Sequence, residues 1–440
     1  MKRTANPAAT SHPDIGTYDL AVIGTGMAGM AASLIAADRG LSVAQAGLTG
    51  EILFSSGFFD FLAIHPVREK RYWTNPWKAV HAMIQDNPDH PYARISGQTM
   101  RHAWAMMLSF LEREGLPYHR ELEENTRMIT SQGTVKSTYC LPLTMQPGAD
   151  GLKQNLPCLI ADFHGMREFS AVQIAESLRS QWKGIRTIRI HFPGTDGLTE
   201  LYPEQMGRAL ELPQNREKLA VLVKPQVKEV KLVGLPAVLG IEKSLQATND
   251  LSERLGLPVF EIPTIPPSVP GIRLKETFER ALPQIGVRQF LQKRVLRVNP
   301  EPDGIFRLDI GSVSPEHTIK ARAVILATGR FFGGGLYAER DGIRETVMGL
   351  KVVQPATRSE WHRDDFFDPA GHPIHHAGLE TDSLFRPLDS SGRPAYPNLF
   401  AAGSILAHQD WIRSKSGVGL AVCSAAAAVE SCIYLKGVKK

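Results

Sequence analysis

Cysteine is scarce in this chain: four residues in 440, Cys140, Cys158, Cys423 and Cys432, far apart and without a C-x-x-C pair. That spacing argues against a cysteine-held iron–sulfur cluster or structural zinc, so no metal site is expected, and the thiols read as reduced and cytosolic. Basic clustering is lacking too. The net charge of +5, from 50 Lys and Arg against 45 Asp and Glu, is mild and dispersed. No basic run is interleaved with aromatics, which argues against nucleic acid. Residues 1–16 are polar, carry proline and have no apolar run; they read as a loose tail and not as a signal peptide. No stretch makes a convincing membrane span. Residues 417–435 come nearest, yet their alanines, glycines and serines, with Glu430, fit a tightly packed buried helix better. Any membrane contact then runs through a partner. The rest is ordinary for a soluble chain of two or three domains, with 43% hydrophobic and 22% charged residues.

What is present is organised around residues 18–32, YDLAVIGTGMAGMAA. An apolar strand breaks into glycines and resumes as a small-residue helix. Gly24, Gly26 and Gly29 have the G-x-G-x-x-G spacing of a dinucleotide fingerprint, with Met27 and Ala28 in the first helical turn. The first glycine permits the tight turn, the second leaves room for a phosphate, and the third lets helix and strand pack closely. The helix N-terminus then offers free N–H groups and partial positive charge. One further element of the fingerprint is missing. An acidic residue is expected at the end of the second strand, to hold an adenosine ribose, and that position is Gly47. Either other groups hold the ribose, Gln45 among them, or the ligand is a mononucleotide such as FMN.

Further along, Ser55, Ser56 and Gly57 read as a turn facing a ligand, or as a simple loop. Helices are expected over 73–84, 101–114 and 170–182, the first two in a separate lobe, and strands over 136–142, 158–163 and 187–192. A glycine-rich loop is expected at 147–151. The proline-punctuated stretch 262–270 reads as a linker back to the first domain. There a helix over 274–282, paired strands over 286–298 and 305–310, and an apolar strand ending at Thr328-Gly329 complete a nucleotide domain. Residues 398–404 form another strand-to-glycine turn, ending in Gly403 and Ser404, and Gly417, Val418 and Gly419 open the last helix. That helix end suits the negative charge of a reduced flavin. The order is typical of two-dinucleotide-binding-domain flavoproteins. The expected fold is therefore α/β: a Rossmann-like, glutathione-reductase-type flavin domain (18–75, 272–335, 396–440) interrupted by an α+β second lobe (76–271), with 336–395 returning to the lobe and cleft.

FSSG at 54–57, PTIPPSVPGIRL from Pro263, FFGGGLYAERDGIRETVMGL from Phe331 and NLFAAGSILAHQDWIRSKSGVG from Asn398 resemble the B-subunit family of anaerobic glycerol-3-phosphate dehydrogenase over nearly the whole chain. The resemblance implies an FMN-bearing flavoprotein, with FAD as the alternative. It also implies a heterotrimer with a larger catalytic flavin subunit and an iron–sulfur subunit, cytoplasmic and peripheral on the inner face of the membrane through those partners. Its substrate would be glycerol 3-phosphate and its electrons would pass towards quinone. The family also lacks an acid at the position of Gly47; the long N-terminal tail and His408, where glycine is expected, are departures. Candidate bases are His375, His376 and His408, and candidate phosphate-holding arginines are Arg340, Arg344 and Arg386. Two other readings are a flavin electron-relay and assembly subunit, and a stand-alone reductase of the fumarate-reductase type.

Overall fold

The computed structural model describes residues 14–48, 50–195 and 198–435. Leu20–Ile23, buried at every position, forms the middle of a five-stranded sheet. Its order is Arg288–Leu291, Val43–Gly47, Leu20–Ile23, Val324–Leu326, Leu399–Ala401, and every pairing is parallel. A strand buried on both faces is expected to be wholly apolar, because a parallel sheet is covered by helices on each side. The helix Met27–Asp38 and the C-terminal helix Gly417–Leu435 share their closest packing with each other and lie in the same hydrophobic core as this sheet. Small residues make that packing close. The C-terminal helix is apolar and long enough to cross a membrane, but its residues 419–429 are buried without a break, as expected of a core helix.

A second sheet carries Arg294–Pro300, Phe306–Gly311 and Pro315–Ala321 in antiparallel succession, with Asp14–Tyr18 added parallel at the edge. The supposed tail is thus tied down from Asp14 onward; residues 1–13 lie outside the described residues. Residues 286–298 split at Gln292, whose φ is +57°. The first half joins the nucleotide sheet and the second half joins the antiparallel one.

The expected fold class holds. Within the inserted lobe the main sheet, ordered Val259–Ile262, Leu232–Pro236, Cys158–Phe163, Ile185–Ile190, is parallel throughout. Beside it stand two small antiparallel ladders, Tyr118–Arg120 with Cys140–Pro142 and Thr126–Ile129 with Val135–Thr138. Two expectations need correction. The helices Pro76–Asp86 and Gly97–Arg113 do not stand in a separate lobe. Trp104, Met107 and Phe110 belong to the same core as the nucleotide sheet, and Gly97–Arg113 packs on the C-terminal helix. Amphipathic spacing shows that a helix face is buried, but not against what. Residues 147–151 are no loop but part of the helix Gln146–Gln154. Their glycines serve close packing, since a Cβ on Gly148 would stand 2.2 Å from the Phe260 ring and one on Gly151 2.5 Å from Leu232.

The two lobes are joined by a buried ion pair. Arg273, on the return helix Val269–Gln284, forks onto Glu261 of the lobe strand Val259–Ile262 at 2.6 and 2.7 Å. Both side chains are almost wholly removed from solvent. Thr144 Oγ1 and the Leu239 N–H also donate to Glu261, each at 2.8 Å, while Arg273 Nε and Nη2 donate to Gly240 O at 2.9 and 2.7 Å. Removing one partner from such a pair leaves a buried charge unpaired. Glu261→Ala is therefore expected to lose about 3–5 kcal/mol of stability, measured by urea unfolding; a loss below about 1 kcal/mol would show that the joint carries little.

Candidate flavin site and cleft

The glycine turn is built by close approach. A Cβ on Gly24 (φ +128°) would lie 2.1 Å from Ala327 O, and one on Gly29 would lie 2.1 Å from Gly24 O. Gly26 differs: nothing lies within 4 Å of its Cβ position. It caps the helix Met27–Asp38 with no side-chain hydrogen bond, and no acidic residue sits in the first turn. The open space and uncapped helical amides of Met27, Ala28 and Gly29 fit a phosphate. The absence of an acid at Gly47 also has a steric reason. A Cβ there would stand 3.0 Å from Thr25 N and 3.1 Å from Thr25 Cγ2, so any side chain would press on the turn. Gln45 does not substitute for it. The side chain is fully buried, donating to Gly24 O at 3.1 Å and accepting from Gln289 at 2.8 Å. It braces the glycine turn from below and is unavailable to a ribose.

Three further turns surround the same space. In the first, Ser55 Oγ accepts from Gly57 N–H at 3.2 Å and Ser56 Oγ from Phe58 N–H at 3.4 Å, while Ser268 Oγ of the return helix cap donates to Ser55 O. In the second, Thr328 Oγ1 is buried without a partner and Gly329 has φ +68°. In the third, Gly403 has φ +81°, its Cβ position lies 2.6 Å from Ala28 Cβ, and its N–H donates to Ser424 Oγ at 2.8 Å. Residues 333–335 fold over the second turn, where a Cβ on Gly335 would meet Gly329 O at 2.1 Å. Gly417 and Val418 open the C-terminal helix, and the Gly419 N–H donates to Asp60 O at 2.8 Å.

Arg330 holds the loops beside these turns. Its guanidinium donates to Ser404 O at 2.7 Å and Gln409 O at 2.8 Å, and also to Leu406 O and His375 O. This brings the three candidate histidines together. His375 Nδ1 lies 2.6 Å from Arg413 Nη1 and 3.2 Å from Asp410 Oδ2. Burial raises the Asp410 pKa, but the hydrogen bonds from His375 and the Arg413 N–H outweigh it and hold the carboxyl below its usual value. His408, with φ +63°, occupies the left-handed conformation that a glycine would favour, and its Nε2 bonds to Glu380. Glu380 also accepts from Arg94 at 2.7 Å. His376 alone of the three has a ring with no hydrogen-bond partner among the described residues. His376 is exposed to solvent; crowding by the surrounding protein still lowers its pKa from the ordinary histidine value, and the Arg330 charge adds to this against the opposing pull of Asp410.

The candidate arginines are elsewhere. Arg344 and Arg340 are exposed on the hairpin formed by Leu336–Ala338 and Ile343–Glu345. Arg344 pairs with Glu339 at 2.7 Å, and Arg386 forks onto Asp382 within its own turn at 2.8 and 2.7 Å. The cations nearest the histidines are Arg413, bonded to His375, and Arg94, which shares Glu380 with His408; Lys415 lies within electrostatic reach of Asp410 and Arg413. Lys415 (φ +54°) has its pKa lowered by burial first and by Lys136 next; Lys136 is paired with Asp60 at 2.7 Å. All but Lys136 and Arg94 fall inside the segment beginning at Asn398, but only the fold shows which of its polar residues converge.

Sheet order, glycine turn and helix termini define a flavoprotein of the doubly wound class. The FAD binding domain family matches residues 19–420. The chain is 32% identical over 440 residues to the B subunit of anaerobic glycerol-3-phosphate dehydrogenase from Vibrio vulnificus (strain YJ016), covering 95% of this chain and 97% of that one. It is 29% identical to the protein of the same name from Yersinia pseudotuberculosis serotype I (strain IP32953), covering 94% and 98%. The chain therefore belongs to the FAD binding domain family and, within it, to the B-subunit family of anaerobic glycerol-3-phosphate dehydrogenase. Among solved structures it is similar to a flavocytochrome c3 fumarate reductase in an open conformation, with TM-score 0.44, 10% identity and coverage of 96% and 79%. A 3-ketosteroid-Δ4-(5α)-dehydrogenase from Rhodococcus jostii RHA1 gives TM-score 0.40, 13% identity and coverage of 97% and 98%.

The contrast between Gly24 and Gly26 separates folding from binding. Gly26→Val places its side chain in open space, so the variant is expected to fold with an unchanged circular dichroism spectrum while binding flavin about tenfold more weakly or worse. Gly24→Ala, forced against Ala327 O, is expected to lower the melting temperature as well. Undiminished flavin content in Gly26→Val would refute the placement of the phosphate.

Proposed function

We propose that this chain holds one flavin and takes part in oxidising sn-glycerol 3-phosphate to dihydroxyacetone phosphate, with electrons leaving through partner subunits towards quinone. The observation that carries the reading is that Arg330 ties the third glycine turn to the histidine loop, donating to Ser404 O and His375 O, where His376 has an unpartnered imidazole and the neighbouring His375 is held against Arg413. Bound there, a flavin supplies the two-electron acceptor. The chain's own residues handle the rest of the substrate. His376, kept neutral by its lowered pKa, accepts the hydroxyl proton, while Arg413 and Lys415 meet the phosphate dianion. Asp410 holds His375 and Arg413 in place. His408, engaged with Glu380, positions the wall of the cleft.

The lack of any side chain at Gly47, with Gln45 turned inward, supports FMN; the name of the matched family favours FAD, and mass analysis of the extracted cofactor distinguishes them. Onward transfer is assigned to partners, because the four cysteines are buried and among the described residues no group of three His, Cys, Asp or Glu is arranged to hold a metal. A larger flavin subunit and an iron–sulfur subunit at the inner face of the membrane fit that need.

Two outcomes are expected for the assembled complex. His376→Asn should reduce kcat by about 10²- to 10⁴-fold with normal flavin content. Because the competent base is neutral, wild-type kcat/KM should fall as pH drops through a value below the ordinary 6.5 of histidine, and that acid limb should vanish in the variant. Unchanged turnover would move proton abstraction to another subunit and leave this chain as an electron relay. Arg413→Lys should raise KM for glycerol 3-phosphate about tenfold, whereas Arg344→Lys, losing only a surface ion pair of roughly 0–1 kcal/mol, should leave KM nearly unchanged.

A further inference from the structure

Between the glycine turn, where a phosphate fits, and the serine turn near the cleft lies the short 3₁₀ segment Glu51–Phe54. Its first residue is a carboxylate that the fold uses for nothing else: Glu51 has no hydrogen bond or close ion pair among the described residues. Its position is fixed from both sides. A Cβ on Gly329 would stand 3.5 Å from Glu51 Oε1, 3.6 Å from Ser404 Oγ and 3.4 Å from Gly333 Cα, so the carboxylate and the serine hydroxyl approach the same point at the second turn. The return helix locks the segment, because a Cβ on Gly271 would lie 2.6 Å from Leu53 O and 2.7 Å from Ile52 O. Burial raises the Glu51 pKa, with the Arg330 charge opposing. Glu51 is half-buried, so its unpartnered carboxylate is open to hydroxyl donors from a ligand.

We propose that Glu51, with Ser404 beside it, holds the hydroxyls of the flavin's ribityl chain. This rests on the flavin reading, and on no choice between FMN and FAD, since both contain the ribityl chain.

The test is binding of three flavins to the full-length flavin-free chain, followed by fluorescence: FMN, riboflavin, and lumiflavin, which keeps the ring but lacks the ribityl hydroxyls. Glu51→Ala should weaken FMN and riboflavin at least tenfold and leave lumiflavin unchanged, while Glu51→Gln, which keeps an acceptor, should recover most of the loss. Equal weakening of all three flavins, or a lowered melting temperature in both variants, would make Glu51 a structural partner of Arg330 and overturn the proposal. Unchanged binding of all three would overturn it as well. Wild-type chain that binds none of them would instead defeat the flavin reading itself.

Discussion

The pairing of Arg273 with Glu261 is the constraint from which the geometry of the site follows. A guanidinium and a carboxylate withdrawn from water are tolerated only when every donor and acceptor is met, and here the carbonyl of Gly240, the hydroxyl of Thr144 and the amide of Leu239 complete the set. That requirement fixes where the return helix enters the flavin domain. Its cap residue Ser268 then reaches Ser55 O, and Gly271 presses on the carbonyls of Ile52 and Leu53. One buried joint between lobes thus sets the 3₁₀ segment and the serine turn. Ile52 alone anchors the 3₁₀ segment in the core, and the joint supplies the rest.

A second constraint is lack of space. The strands Leu20–Ile23, Val43–Gly47 and Val324–Leu326 end so close together that Gly24 and Gly29 have no room for a Cβ and Gly47 has little. Gly26 alone stands open. Gly24 and Gly29 are legible because sterics permit only glycine there, Gly26 because a phosphate needs the space beside it, and the missing acid at Gly47 because a side chain there would crowd Thr25. Its replacement is not. Gln45 lies two residues from Gly47, and proximity in sequence makes it a candidate; the strand's alternation turns it into the layer beneath the turn, against Gly24 O and Gln289.

The order of strands, the insertion and the C-terminal helix can be read from sequence, since each depends on a local pattern: an apolar run ending at a glycine, or small residues at helical spacing. The cleft cannot. Arg340, Arg344 and Arg386 have the right residue type, yet each already has its charge matched or sits in solvent. Arg94, Glu380 and His408 are brought together from 286 and 28 residues apart, a pairing that no short-range pattern encodes. Gly148 and Gly151 mislead for the opposite reason. Glycine in sequence suggests a turn, but in the helix Gln146–Gln154 it is the shape of Phe260 and Leu232 that requires it.

The division of labour among the cations follows from what each already binds. Arg330 is committed to the carbonyls of His375, Ser404, Leu406 and Gln409; a guanidinium with its donors so occupied organises loops and has little left for an anion. Arg94 is held on Glu380, and Lys136 on Asp60. Arg413 shares one Nη1 between His375 and Asp410, leaving donors of its fork uncommitted, and Lys415 has its charge disfavoured by burial and by Lys136. An arriving dianion would relieve that penalty on Lys415 and complete the fork of Arg413. Under the proposed reading, the same approach leaves His376 unprotonated only while Asp410 remains engaged with His375 and Arg413. That couples phosphate binding on one side of the cleft to the proton acceptor on the other.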